Sequence, residues 1–441
     1  MGKPIVAVVG RPNVGKSTLF NYLAGQRISI VQDTPGVTRD RIYADTEWLN
    51  HAFTLIDTGG IEMDSSDVIL KHIRAQAEIA IGLADVILFI TDARVGVTDA
   101  DYEVANLLRK SKKPIVLCVN KVDSFQKQVN EIYEFYNLGL GEPIPVSAAN
   151  QQGFGELLDV IVSHFDETTA NKEEEEYPSV ALVGKPNVGK SSLLNQLLGE
   201  ERSIVSDIAG TTRDSIDSIV TYNHTKYVFT DTAGLRRRNK VSDEIEKYSI
   251  IRTVAAVEKS DITLLMIDAT EGLTEQDAKI AGIAHDRGKG IIIAVNKWDA
   301  IEKDDKTMKR FEEDIKRTLS YLDYAPRVFI SAKTGQRMHR LFETIEAVVQ
   351  NQNLRVATGV LNEVLYDAMA MNQPPADKGH RLKIFYATQV SVKPPTFVLF
   401  INDKELMHFS YQRYIENKFR DAFGFQGTSL RFVLRERKKN D

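Results

Sequence analysis

The 441-residue chain has one cysteine, no apolar run near the ~18 residues of a membrane-spanning helix, and no His-Glu-x-x-His or comparable metal spacing among its eight histidines. A single cysteine excludes an intramolecular disulfide framework and a cysteine zinc cluster. Cys118 lies in Pro114-Ile115-Val116-Leu117-Cys118-Val119 and reads as a buried strand residue rather than a reactive thiol. The opening, Met1-Gly2-Lys3-Pro4-Ile5-Val6, has no apolar h-region or cleavage site, and Val6 departs from the myristoylation pattern. A cytoplasmic protein is therefore expected. Excess charge is also small, a net −5, but it is unevenly spread. Residues 351–441 hold 14 Lys+Arg against 9 Asp+Glu, and residues 166–177 hold six acids against Lys172. A basic tail on an acidic body either marks an anionic partner or is a chance surface imbalance.

The chain does contain a repeat of long period. Gly10-Arg-Pro-Asn-Val-Gly-Lys-Ser17 returns as Gly184-Lys-Pro-Asn-Val-Gly-Lys-Ser191, and Asp57-Thr58-Gly59-Gly60 as Asp231-Thr232-Ala233-Gly234, both at an offset of 174. Asn120-Lys-Val-Asp123 matches Asn296-Lys-Trp-Asp299 at 176, and Ser147-Ala148 matches Ser331-Ala332 at 184. Such spacing marks a duplicated domain. Short, nearly continuous apolar strands alternate with helical stretches: 5–9, 53–57, 86–91, 115–119 and 143–147, then 179–183, 227–231, 262–267, 291–295 and 327–331. The expected fold is α/β, with a mostly parallel sheet covered on both faces in each copy. The expected division is a first domain over 1–165, an acidic linker over 166–177, a second domain over 178–350, and a small α+β domain over 351–441. Helix 354–371, strands 381–390 and 396–402, helix 408–423 and strand 429–435 make up that last domain.

Gly-x-x-x-x-Gly-Lys-Ser between a buried strand and a helix is the phosphate-binding P-loop pattern. Its backbone N–H groups and helix N-terminus cradle phosphate oxygens. The expected contacts are Gly10, Arg11, Pro12, Asn13, Val14, Gly15, Lys16 and Ser17, with Gly184, Lys185, Pro186, Asn187, Val188, Gly189, Lys190 and Ser191. Lys16 and Lys190 should reach the β- and γ-phosphates, and Ser17 and Ser191 should ligate Mg²⁺. Asn120, Lys121, Val122 and Asp123, with Asn296, Lys297, Trp298 and Asp299, end buried strands, where α/β sheets bind ligands. A carboxylate there pairs with guanine N1–H and the exocyclic amine, donors that adenine lacks at those positions. Ser147, Ala148, Ser331, Ala332 and Lys333 belong to the same base site. Asp57 and Asp231 should hold Mg²⁺, within Asp57, Thr58, Gly59, Gly60 and Ile61 and within Asp231, Thr232, Ala233, Gly234 and Leu235. Thr38 and Thr212, in the polar loops 32–41 and 206–215, complete the metal shell when a γ-phosphate is present.

Two GTPase domains, an acidic linker and a basic α-β-β-α-β domain resemble the Der (EngA) double-GTPase family of bacteria. The resemblance covers essentially the whole chain. It implies a GTP-hydrolysing factor that assembles the large (50S) ribosomal subunit through ribosomal RNA, with a KH-like third domain. No DNA or membrane partner is expected, and the chain should be a monomer off the ribosome.

Many GTPases place Gln after Asp-x-x-Gly to orient the attacking water. Ile61 and Leu235 stand there instead, so slow intrinsic hydrolysis is expected. Asn13 and Asn187 resemble asparagines that help bind potassium beside the phosphates in related GTPases; the alternative is that they only shape the loop. With Lys16, Lys190, Thr38 and Thr212, they are the residues expected to act on the reaction itself. The loop Leu235-Arg236-Arg237-Arg238-Asn239-Lys240 is basic where Ile61-Glu62-Met63-Asp64-Ser65 is acidic. It is either a solvated charge run or a GTP-dependent contact with RNA or another domain. Tyr411, Tyr414 and Phe425 read as exposed aromatics suited to RNA, although the domain lacks the Gly-x-x-Gly clamp of KH modules.

Overall fold

The computed structural model describes residues 3–25, 43–58, 69–123, 129–169, 177–199, 217–231, 246–377 and 380–437. Two compact units divide the chain, Met1–Glu176 with Leu235–Ala255, and Tyr177–Gly234 with Ala256–Asp441.

The first unit runs β1 (Ile5–Val9), α1 (Lys16–Gly25), β2 (Tyr43–Trp48), β3 (His51–Asp57), α2 (Ile69–Leu83), β4 (Val86–Asp92), α3 (Asp99–Lys110), β5 (Ile115–Asn120), α4 (Val129–Tyr133), a 3-10 turn at Glu134–Leu138, β6 (Pro143–Pro145) and α5 (Phe154–Thr169). Its sheet has the order β2-β3-β1-β4-β5-β6, and every neighbouring pair is parallel except β2–β3. β1 and β4 are buried along their whole length, which suits their β-branched runs. Leu19, Leu23, Leu157 and Ile161 cover Val6 and Val8 on one face. Ala80, Leu83 and Leu108 cover Ala7 and Phe89 on the other.

The second repeat has β7 (Ser179–Val183), α6 (Lys190–Gly199), β8 (Asp217–Tyr222), β9 (Thr225–Asp231), α7 (Glu246–Lys259), β10 (Ile262–Asp268), α8 (Glu275–Asp286), β11 (Gly290–Asn296), α9 (Thr307–Thr318), a 3-10 turn at Ser320–Leu322, β12 (Arg327–Phe329) and α10 (Met338–Asn353). Its sheet order, β8-β9-β7-β10-β11-β12, is the same when read from the hairpin edge.

β2 and β8 are the strands that apolar runs do not reveal. Each is the antiparallel edge of a hairpin turning on two residues of positive φ, Leu49–Asn50 (47° and 65°) and Asn223–His224 (46° and 66°). β2 is polar, Tyr-Ala-Asp-Thr-Glu-Trp, because an edge strand has only one neighbour to satisfy. At the other end of the first repeat, α5 continues to Thr169, four residues into the segment read as linker.

In the same unit as the second repeat, α11 (Thr358–Met371), β13 (Ala376–Asp377), β14 (His380–Arg381), β15 (Ile384–Ser391), β16 (Thr396–Ile401), α12 (Phe409–Phe423) and β17 (Arg431–Glu436) form the expected α-β-β-α-β domain, with a two-residue ladder β13–β14 beside it. β15 pairs antiparallel and β17 parallel to the central β16. Leu361, Leu365, Ile415 and Phe419 pack on Phe397 and Leu399. This domain is seated on the second repeat. Ile291 N–H donates to Gly427 O (2.7 Å), Gly427 N–H donates to Tyr324 O (2.8 Å), and Arg420 stacks over the Tyr324 ring. Tyr411 and Phe425 are corrected here: both are core residues, and Tyr414 is half-buried against the same core. Among the described residues of this domain the exposed aromatics are Tyr366, Tyr386 and Phe409. No helix among the described residues is long and apolar enough to cross a membrane.

Candidate functional site

β1 lies between β3 and β4, the point where the strand order reverses, and its carboxyl end opens into Gly10–Ser17. Ligands bind α/β sheets at this switch point. Gly10 and Gly15 let the loop close up. A Cβ on Gly10 would stand 2.4 Å from Ile90 O, and one on Gly15 would stand 2.3 Å from Asn120 Nδ2. Gly15 also has φ 93°, and Gly189 repeats it with φ 104° and a 2.3 Å approach to Asn296 Nδ2. Asn13 and Asn187 are exposed and sit in the left-handed region at φ 65° and 64°, a conformation asparagine tolerates.

Lys16 is buried beneath the loop, its Nζ donating to Gly10 O (2.7 Å) and Arg11 O (2.8 Å). Burial pushes its pKa down to about 8, against the opposing pull of Asp57. Lys190 repeats the geometry with Gly184 O (2.7 Å) and Lys185 O (2.6 Å). An ammonium held on loop carbonyls at the start of a helix fits an anionic phosphate ligand. The buried Asp57, opposite Val8 in the sheet, and the exposed Ser17 give an oxygen donor set of the kind Mg²⁺ takes. Thr58 donates its hydroxyl to Val8 O (2.6 Å).

The base-site residues come from β5 and β11. Asn120 is buried and acts as a clamp. Its Nδ2 donates to Val14 O (2.8 Å) and its Oδ1 accepts from Ala148 N–H (3.0 Å). Asn296 does the same with Val188 O (2.8 Å) and Ala332 N–H (2.9 Å). Lys121 Nζ reaches Asn13 O (2.6 Å) and Asp92 (2.7 Å), and Lys297 Nζ reaches Asp268 (2.5 Å). Asp123 and Asp299 point outward, each accepting from the serine of its own copy, Ser147 or Ser331. Their carboxyls lie below the usual carboxylate range, Asp123 through its bond to Arg94 first, Asp299 through Ser331 first. The side chains of Val14, Val188, Val122 and Trp298, expected near the nucleotide, are instead buried in the core, Trp298 against Phe329 and Phe311. They hold the loops from below, which leaves their backbone to face a ligand. Pro12, Pro186 and Lys333 are exposed at the rim.

Thr38, Gly59, Gly60, Ile61, Thr212, Thr232, Ala233, Gly234, Leu235 and the basic loop 236–240 lie outside the described residues, as does the side chain of Asp231. Motif reading misses a supporting ring of charge. Arg11 faces the buried Asp101 at 3.4 Å, and Lys185 pairs with Glu271 at 2.5 Å. Asp101 and Asp277 also close capping boxes with Thr98 and Thr274 at the starts of α3 and α8. The Thr-x-x-Asp spacing ahead of each helix is the signal that reveals them.

The model of a 50S ribosome-binding GTPase matches residues 5–121 and again 179–297, and the KH-domain-like model of EngA bacterial GTPase enzymes, C-terminal, matches 355–435. The GTPase Der of Lachnoclostridium phytofermentans is 66% identical over 441 residues, all of both chains. The chain belongs to the Der double-GTPase family. The GTPase Der of Clostridium perfringens is 57% identical over 439 residues, again the full length of each. An Era variant of Aquifex aeolicus, solved bound to GDP.AlF4-, is 23% identical and covers 59% of this chain and 93% of its own, with a TM-score of 0.31. As in the rest of the Der family, two P-loop domains bind guanine nucleotide and hydrolyse GTP, and a KH-like domain follows them.

Proposed function

We propose that this double GTPase acts in the cytoplasm on the maturing 50S subunit, as a monomer off the ribosome, with ribosomal RNA as its partner and neither DNA nor membrane. The observation supporting this is the union, in one chain, of two matches to a 50S ribosome-binding GTPase and one to the EngA C-terminal domain. Residues 1–165 and 178–350 are the two switches, the acidic 166–177 tethers them, and 351–441 is a basic foot. Tyr386, stacked on Phe400, and the neighbouring Arg435 and Arg437 offer it a base-stacking and phosphate-binding surface.

The nucleotide lies with its phosphates over the P-loop and its base against Asp123 or Asp299. Lys16 and Lys190 release their loop carbonyls to meet the β- and γ-phosphates. Ser17 and Asp57, or Ser191 and Asp231, would hold Mg²⁺, which would supply positive charge to the phosphates. Thr38 and Thr212 sense the γ-phosphate, and with it the state of loops 32–41 and 206–215. The P-loop N–H groups stabilise charge gathering on the bridging oxygen. Asn13 and Asn187 would help hold a potassium ion, which would add positive charge at the phosphates; equal turnover in matched KCl and NaCl would remove that role.

Pelleting the full chain with purified 50S particles under GTP, GDP and a non-hydrolysable GTP analogue tests the main reading. Nucleotide-dependent co-sedimentation is expected. Failure to bind in every nucleotide state would overturn it.

A further inference from the structure

The two base-reading carboxylates keep different company. Asp123 Oδ1 accepts from Ser147 Oγ (3.3 Å) and Asn150 Nδ2 (3.3 Å), while its Oδ2 is held by Arg94 Nη2. In the second repeat Thr270 occupies the place of Arg94, and its hydroxyl donates to Asp268 (2.7 Å) instead. Asp299 accepts from Ser331, and Lys303 and Lys333 act on it only through space. Among the described residues no ion pair joins Asp299.

A guanidinium edge carries adjacent N–H donors, as the N1–H and amino edge of guanine does. Arg94 offers one such donor, Nη2, to Asp123 Oδ2, an oxygen that the base would need. The pair is open to solvent, with side-chain exposures of 61% and 40%, so it can part without unfolding anything.

We propose that Arg94 is a specificity and gating residue of the first nucleotide site, an internal mimic of guanine that latches Asp123 until the base displaces it. Among the described residues the second site has no such latch. The inference rests on Asp123 being the guanine-reading carboxylate. A nucleotide binds only the unlatched fraction, so the apparent association rate is scaled down to that fraction of its unlatched value while the dissociation rate is untouched. An exposed ion pair of ordinary strength makes the penalty about two- to sixfold. Salt screens such a pair and so shrinks it.

The test uses the full chain carrying Asp299→Asn, so that methylanthraniloyl-GDP reports the first site alone in stopped flow. Adding Arg94→Ala should raise the association rate about two- to sixfold at low salt and leave dissociation unchanged, with the ratio falling towards one at high salt. In a chain whose first site is silenced by Asp123→Asn, Thr270→Arg should slow association at the second site. An unchanged association rate in Arg94→Ala overturns the latch. Faster dissociation also overturns it, because Arg94 would then be gripping the bound base. Adding Asp123→Asn to the Asp299→Asn chain should abolish guanine binding and admit xanthosine diphosphate. Retained guanine binding there would instead overturn the reading of Asp123 itself.

Discussion

Replacing Asn120 by Ala should do more damage than the loss of one nucleotide contact. Its amide touches the P-loop at Val14 O (2.8 Å) and the Ser147-Ala148 turn at Ala148 N–H (3.0 Å), and Asn120 is 1% exposed. Truncation removes both partners at once and leaves a buried carbonyl and a buried N–H unpaired. At about 1–3 kcal/mol for each orphaned group, the cost is about 2–6 kcal/mol. A typical domain is stable by only about 5–15 kcal/mol, so the first repeat should be left marginal. Hydrogen exchange of the full chain without nucleotide reads the effect locally. Ala148 N–H and the P-loop amides should lose protection together, and the first repeat should unfold at lower denaturant. Saturating GDP should recover part of the loss by mass action. Asn120→Asp is the discriminating partner. It keeps the acceptor for Ala148 N–H but sets a carboxylate oxygen against Val14 O, so protection should fail at the P-loop and survive at Ala148. If Asn120→Ala leaves both segments protected, the clamp does not carry the load assigned to it.

The second repeat and its C-terminal domain supply three further tests. His285 contacts the Tyr324 hydroxyl at 2.8 Å, and burial first, then Arg420 and Arg431, push its pKa from 6.5 down to about 4. The unfolded chain therefore holds the extra proton between about pH 6.5 and 4, and stability should fall as pH drops through that window. The total is roughly 3 kcal/mol, and His285→Gln should remove that slope in denaturation series compared pH by pH. Glu258 and Arg287 form a buried pair at 2.6 Å, so Glu258→Ala should cost about 3–5 kcal/mol, while converting both residues to Met should cost far less. Cys118 is wholly buried and its thiol is pushed well up by desolvation, so it should resist a thiol reagent in the native chain and react stoichiometrically after denaturation.

The parallel core was legible because its strands are buried on both faces and so read as unbroken apolar runs, as Val86–Asp92 and Ile262–Asp268 do. The P-loops were legible because phosphate binding needs glycine where a Cβ would collide, as Gly15 does with Asn120. What escaped was structure made by pairing rather than by composition. The polar β2 is a strand only because β3 lies beside it. Tyr411 and Phe425 read as surface aromatics because a mixed polar helix and a Gly-flanked loop hide the fact that both turn inward. The ion pairs Arg94–Asp123 and Glu258–Arg287 each join residues about 29 positions apart, and no periodicity links such positions.

Those pairs show how a duplicated domain diverges without losing its fold. The buried apolar positions of the two sheets and the four hydrogen bonds of the two asparagine clamps are kept, because changing any one costs folding energy in that copy. The exposed charges around the nucleotide are free of that constraint. The exposed Arg94 that pairs with Asp123 in the first repeat is replaced by Thr270 at the corresponding place in the second. Substitutions at such sites shift stability by little, while the charge lining a site bears on how fast a charged ligand arrives. Two switches of one ancestry can thereby come to answer the same nucleotide at different rates, a difference that must be sought in the rims of the sites and not in the motifs they share.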